Sequence, residues 1–172
     1  MAERKEPVTT MEWFEEGVRC FKKPDGVGAV RAFRRVIEMD PAYRHNDGDN
    51  AYFYMGKIHE VEGDLDPAVA MYTRALALDP WDEESLIGRG SCLTVRQEYD
   101  RAITDFRKAL AIPAPHRRAP VQHLLSAIAE NYRLMKDYAN ALMWGHRALD
   151  EEPDNFRHQE LVKAMQAKLQ AE

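Results

Sequence analysis

The sequence predicts an all-α fold, a solenoid of antiparallel helix pairs stacked one on the next, and three observations predict it. The chain repeats: Trp13, Gly17, Ala29, Phe33 and Pro41 recur 39 residues on as Tyr52, Gly56, Ala68, Tyr72 and Pro80, and in part 34 further on as Leu86, Gly90, Ala102 and Phe106. Self-similarity at this period marks small stacked units rather than an enzyme built around one central cleft. Asp40–Pro41, Asp79–Pro80 and Glu152–Pro153 punctuate the chain, because a residue before proline is pushed out of the helical region. No stretch alternates with period two for long enough to suggest a strand.

Taken in order, Thr9 followed by Glu12 reads as a capping box opening the first helix. Asp25 sits at the start of its partner. An N-cap at or near Asp49 opens the next pair, Gly63 closes that helix, and Asp66–Pro67 supplies an N-cap and first-turn proline for the helix that follows. Asp100 sits at the matching place one unit later. Gly17, Gly56 and Gly90 lie inside helices, where glycine costs about 1 kcal/mol against alanine; close helix approach accounts for a cost repeated at fixed spacing. Ala29, Ala68, Ala102 and Ala141 are the small partners, and Phe33, Tyr72 and Phe106 are expected to fill the space between neighbouring units. Residues 156–170 place Phe156, Leu161, Val162, Met165 and Leu169 on one stripe, with Lys163, Lys168 and Gln170 away from it. Such a helix caps the apolar end of a solenoid, or detaches to serve dimerisation or docking. Phe156 and Trp144 are expected to fill the space beside Gly145.

These residues together (a bulky side chain, then Gly, then Ala–x3–aromatic, then Pro) resemble the tetratricopeptide repeat. In that register the units run 10–43, 49–82, 83–116 and 122–155, after a tail of residues 1–9 and before a capping helix within 156–172. Glu16, Met55 and Arg89 stand where the family has leucine, and the fourth unit has Ala129 for glycine and Gly145 for the aromatic. The resemblance implies a right-handed superhelix whose concave wall is the first helix of each pair. Carried onto this chain, that wall offers Met11, Phe14, Val18, Phe21 and Lys22, then Asn50, Phe53, Tyr54, Lys57 and Val61, then Ile87, Ser91, Thr94 and Val95, then His123, Ser126, Glu130 and Arg133.

The first half of this groove is apolar and aromatic and the second half polar. Met11, Phe14, Val18, Phe21, Asn50, Phe53, Tyr54, Lys57 and Ile87 are therefore the expected partner-binding residues, with Phe14 and Phe53 as anchors for an amphipathic helix or extended apolar segment. Residues 1–9 or a second copy of the chain could cover the groove instead, or the same side chains could be plain core. Family members that grip the C-terminal carboxylate of heat-shock chaperones use Lys, Asn and Arg. The matching positions hold Phe14, Val18, Tyr54, Glu84 and Gly88, and a one-unit shift gives Phe53, Lys57, Gly88, His123 and Ala127. That clamp is not expected here. The function implied is a protein–protein interaction module or adaptor, with a self-associating scaffold and a secretion-type chaperone shielding an apolar client as alternatives.

Composition bounds the rest. The 172 residues are 45% hydrophobic and 31% charged, enough for a packed core. A net charge of −5 argues against nucleic-acid binding. No apolar run reaches the roughly 20 residues that cross a bilayer, and the charged first ten lack a signal's apolar centre, so the expected location is cytoplasmic. Cys20 and Cys92 are expected as buried free thiols. The loop around Gly48 fits a calcium loop at one position only, the histidines lack metal-ligand spacing, and no nucleophile–base motif or phosphate loop stands out. A non-enzyme without cofactor or metal is expected. Two five-residue insertions, after the first and third units, lie within Tyr43–Gly48 and Pro115–Val121. Arg117 and Arg118 in the second could dock an acidic ligand, or belong to a solvated loop.

Overall fold

Capping decides where each helix begins. The computed structural model describes residues 6–23 and 25–170, and these form nine α-helices and no strand. α1 (Thr10–Lys22) opens with the expected capping box: Thr9 Oγ1 accepts from the Glu12 N–H at 3.2 Å, and the Glu12 carboxylate accepts from the Thr9 N–H at 2.9 Å. α2 (Gly26–Met39) is capped by Asp25, which accepts from the Gly28 N–H at 2.9 Å. α3 (Ala51–Glu62) takes Asn50 as its cap rather than Asp49, and it ends at Gly63 with φ +83°. α4 (Leu65–Leu78) starts two residues earlier than expected: Asp64 holds the cap position, and Asp66 falls in the first turn. These four helices form one compact unit that ends at Pro80, with α1 on α2, α2 on α3 and α3 on α4.

The second unit begins at Trp81 and holds α5 (Glu83–Val95), α6 (Tyr99–Leu110), α7 (Val121–Leu134), α8 (Tyr138–Glu151) and α9 (Phe156–Gln170), each packed on the next. Glu98, not Asp100, caps α6, and Asp100 lies in the first turn. The turns after α5 and α7 repeat the left-handed residue that Gly63 supplies after α3, but here it is Gln97 (φ 63°) and Lys136 (φ 64°). A side chain at positive φ is strained, so these two turns are less comfortable than the first.

The repeated glycines are explained by the repeated rings. A Cβ on Gly17 would stand 2.6 Å from Phe33, one on Gly56 2.8 Å from Tyr72, and one on Gly90 3.0 Å from Phe106. Each ring thus lies across the first helix of its own pair, which the sequence reading placed between units. Phe33 does both: its other face stacks on Tyr54 at 4.9 Å with the planes 7° apart. Polar links add to this packing. Tyr72 donates to Glu60 at 2.5 Å, and the Arg89 guanidinium donates to both oxygens of buried Asp105 at 2.8 and 2.7 Å. Ala29, Ala68, Ala102 and Ala141 are fully buried, where anything larger would part the helices.

α9 covers α8, with Val162 and Met165 buried while Lys163 and Lys168 are exposed. Phe156 is 69% exposed and Leu169 37%, so neither belongs to the buried stripe. The space beside Gly145 is filled by Val162, 3.2 Å from a Cβ built there, with Leu161 at 4.0 Å, and not by Phe156. Cys20 and Cys92 are buried free thiols. Burial, and then a hydrogen bond with Asp25, pushes the Cys20 thiol above its ordinary pKa. Among the described residues, no helix is long and apolar enough to cross a membrane.

Candidate functional site

The first unit carries a cleft of about 540 Å³ on the α1–α3 side. α1 contributes Phe14, Val18 and Lys22, spaced four apart and so on one helical face, with Glu15 and Arg19 beside them; α3 contributes Tyr54. The third wall is the insertion between α2 and α3, through His45, Asp47 and Asp49. This loop is tied to itself. The His45 N–H donates to the Asp49 carbonyl at 2.8 Å, the Gly48 N–H to the His45 carbonyl at 2.9 Å, and the Asp49 N–H to the Asp47 carboxylate at 3.1 Å. Arg44 anchors it from outside through Asp79 at 2.6 Å.

Aromatic contacts set the floor. His45 stacks on Phe14 at 5.0 Å, while Tyr54 touches Phe14, Phe21, Phe33 and Phe53 and donates its hydroxyl to Asp49 at 2.7 Å. Phe14 is only 2% exposed, so it supports the cleft from beneath and does not project as an anchor. Phe53, at 5%, is likewise buried, beside Tyr54 and Tyr72 and with the Lys57 ammonium 5.8 Å from its ring centre. Asn50 is a cap: its Oδ1 accepts from the Phe53 N–H at 3.0 Å, and its Nδ2 is buried without a hydrogen-bond partner. The apolar surface open to a guest is therefore Val18 and Tyr54, both half-buried, while Phe21 packs on Tyr54 outside the cleft lining. Met11 is exposed but lies outside the cleft lining, and Ile87 belongs to the second unit.

The rim carries both charges, with carboxylates in excess. Glu15, Asp47 and Asp49 face Arg19 and Lys22, with Arg19 held by Glu16. Burial works to raise the Asp47 pKa, but the hydrogen bonds from His45 and the Asp49 N–H outweigh it and hold the carboxyl below its ordinary value. Burial, aided by Glu15, pushes the Tyr43 hydroxyl up. The sequence reading missed Glu15, Arg19, His45, Asp47 and Asp49 as site residues. Their signal was the position of the first insertion, which falls beside the apolar half of the expected groove.

The other candidates are engaged elsewhere. Arg117 donates to the Leu110 and Ile112 carbonyls at 3.0 and 3.3 Å, which satisfies the end of α6. The N–H groups of Arg118 and Ala119 bind the two carboxylate oxygens of buried Glu83 at 2.6 and 2.9 Å, and the exposed Arg118 guanidinium lies 3.9 Å from Glu84. The structure also forms a serine–histidine pair that spacing did not reveal, Ser126 and His158 at 2.7 Å. His158 Nδ1 is buried without a hydrogen-bond partner, so no third group orients the ring as a general base requires. His59, Glu62 and Asp64 offer ligand atoms within 4.8 Å of one another around the Gly63 turn. Only His59 is partly buried, and exposed carboxylates gather in this way without a metal.

The family profile of the tetratricopeptide repeat matches residues 49–80, which span α3, α4 and the turn to Pro80. The chain carries a tetratricopeptide repeat. Solved tetratricopeptide-repeat structures share its fold. The protein from Parabacteroides merdae matches over 92% of this chain and 60% of its own, with TM-score 0.76 and 22% identity. The first such domain of RPAP3 (Spaghetti), bound to the HSP90 peptide SRMEEVD, covers 69% of this chain and 90% of its own, with TM-score 0.60 and 19% identity. MamA from Desulfovibrio magneticus RS-1 is also similar, over 94% of this chain and 85% of its own, with TM-score 0.78 and 16% identity. No curated protein sequence matches the chain.

Proposed function

We propose that this tetratricopeptide-repeat chain is a non-catalytic interaction module that holds an apolar segment of another polypeptide in the α1–α3 cleft. The observation that carries this reading is the cleft itself: Val18 and Tyr54 stay half-exposed over a buried aromatic floor, inside a rim of both charges. The walls are preorganised by the ring stack and the self-bonded loop, so little scaffold entropy is lost on binding. The guest inserts one or two apolar side chains over Val18 and Tyr54, and rim charges fix its direction.

The RPAP3 domain holds an HSP90 peptide on the same fold. The clamp positions in this chain carry Phe14, Val18 and Tyr54 in place of Lys and Asn, which favours an apolar segment over a chain-terminal carboxylate. A photo-crosslinking residue in place of Val18 tests the reading, with the same residue in place of exposed Arg74 on α4 as control. Adducts to discrete partners are expected at position 18, and their loss on adding Lys22→Glu. Identical adducts at both positions, from protein of unchanged helicity, would refute the cleft as the site.

A further inference from the structure

The charge around the α1–α3 cleft is lopsided once its local partners are accounted for. Arg19 is engaged within its own helix, where its guanidinium makes a two-point contact with Glu16. Glu15 is exposed and has no ionic partner among the described residues. Asp49 accepts from the Tyr54 hydroxyl at 2.7 Å and Asp47 from the Asp49 N–H at 3.1 Å, uncharged donors that leave both negative charges standing. Asp47 also meets the His45 ring at 2.9 Å, which is a charge partner only when the imidazole is protonated. The uncommitted charges of the lining are thus Glu15, Asp47 and Asp49 against Lys22.

These charges are also sorted in space. After burial, Glu15 and then Asp47 and Asp40 push the Tyr43 hydroxyl up, so helix and loop carboxylates act on one point. Glu15, Val18 and Lys22 follow one another along one face of α1 at spacings of three and four. Lys22 therefore stands about 10 Å beyond Glu15 along the helix axis, with Val18 between them. On the Glu15 side a second hollow of about 310 Å³ adjoins the cleft and shares Glu15 and Arg19 with it. Its lining adds Glu6, Glu12 and Glu16 and, among the described residues, no further cation. Like charges that converge on one surface without local compensation point to a use outside the chain.

Given the α1–α3 cleft as the binding site, we infer that its guest is a basic segment: an apolar side chain lies over Val18 and Tyr54, and a Lys or Arg within about three residues of it faces Glu15 and Asp47. Lys22 takes a carbonyl or carboxylate at the other end of the same segment, so the guest lies in one direction. An acidic segment is turned away by repulsion.

Short amide-capped peptides test this at about pH 8, where an ordinary imidazole is neutral. One carries two leucines flanked by lysines, a twin has glutamates for the lysines, and another has serines for the leucines. Fluorescence anisotropy with the chain raised to roughly 1 mM is expected to rank the first tightest, about tenfold above the glutamate twin. Glu15→Lys is expected to weaken the lysine peptide about fivefold, whereas Glu151→Lys, the same charge change on an exposed residue of α8, leaves it unchanged. Both variants are compared at unchanged circular dichroism, and equal effects of the two overturn the inference. The photo-crosslinking residue at position 18 is expected to take up the lysine peptide. If either twin binds as tightly and is taken up there as well, the cleft is still a site and the inference falls. If no peptide is taken up at position 18, the cleft falls as the site and the inference with it. Chain-to-chain adducts without peptide identify a second copy as the occupant and overturn the inference too.

Discussion

Replacing Gly17 by alanine sets two opposing effects against each other, and the structure decides the sign. Alanine favours a helix interior by about 1 kcal/mol over glycine. The new Cβ would lie 2.6 Å from Phe33, and the ring must withdraw about 0.8 Å to reach the 3.4 Å of ordinary contact. It has nowhere to go: Phe33 is fully buried, with Tyr54 stacked at 4.9 Å and Phe14 at 5.8 Å. Overpacking of this kind costs about 1–3 kcal/mol, here near the upper end, so Gly17→Ala is expected to destabilise by about 1–2 kcal/mol net. Gly26→Ala, whose Cβ meets nothing within 4 Å, is expected to stabilise slightly. Gly90→Ala, at 3.0 Å from the Phe106 ring edge, should fall between them. Urea midpoints by circular dichroism at constant m-value measure the series. A double-mutant cycle with Phe33→Leu should show the two losses failing to add, because the smaller side chain makes room for the methyl. Additive losses, or a Gly17→Ala protein as stable as wild type, would refute the steric account.

Four other outcomes follow from the same structure. Gln97→Gly and Lys136→Gly should each stabilise by about 0.5–1 kcal/mol by relieving a positive φ, whereas Gly63→Ala should lose about as much; thermal melts rank them. Asp105→Ala leaves the Arg89 guanidinium, only 20% exposed, without its two-point partner and should cost about 3 kcal/mol, while Arg89→Leu with Asp105→Leu should recover most of that in a urea titration. Glu83→Gln puts an amide where two N–H groups need acceptors and should cost about 2 kcal/mol, with faster hydrogen exchange at residues 118 and 119. The Asp25 carboxyl is held below its ordinary value by the Gly28 N–H and then by Cys20. Its contribution is therefore present above the unfolded carboxylate range and is lost as pH falls through the lowered folded value. Asp25→Asn, still a good cap, should flatten stability against pH below about pH 4.

The helix pairs were legible because their determinants are local: glycine, alanine, ring and proline recur at fixed offsets, and each acts on its own turn or its own pair. Buriedness of the first-helix residues was not legible. Phe14 sits on the face expected to line the groove, yet His45 and Tyr43 close over it from a loop some thirty residues away, and no periodicity encodes where a loop ring comes to rest. Phe53 fails for a related reason, since its helix packs on more than one neighbour. Helix starts slipped by two residues at Asp66 and Asp100, where an acidic residue fits both the cap and the first turn. Arg117 looked free because its partners are backbone carbonyls, which carry no sequence signature.

Rings run unbroken from Phe14 through Phe33, Tyr54 and Phe53 to Tyr72, linking all four helices of the first unit. In repeat proteins the strength of neighbour coupling sets how many repeats melt together. Here the first two helix pairs share one aromatic seam, so removing either strips a buried face from the other. The smallest piece of this chain's N-terminal half that folds by itself is then the two pairs jointly, and its denaturation should be a single transition instead of a sequence of steps.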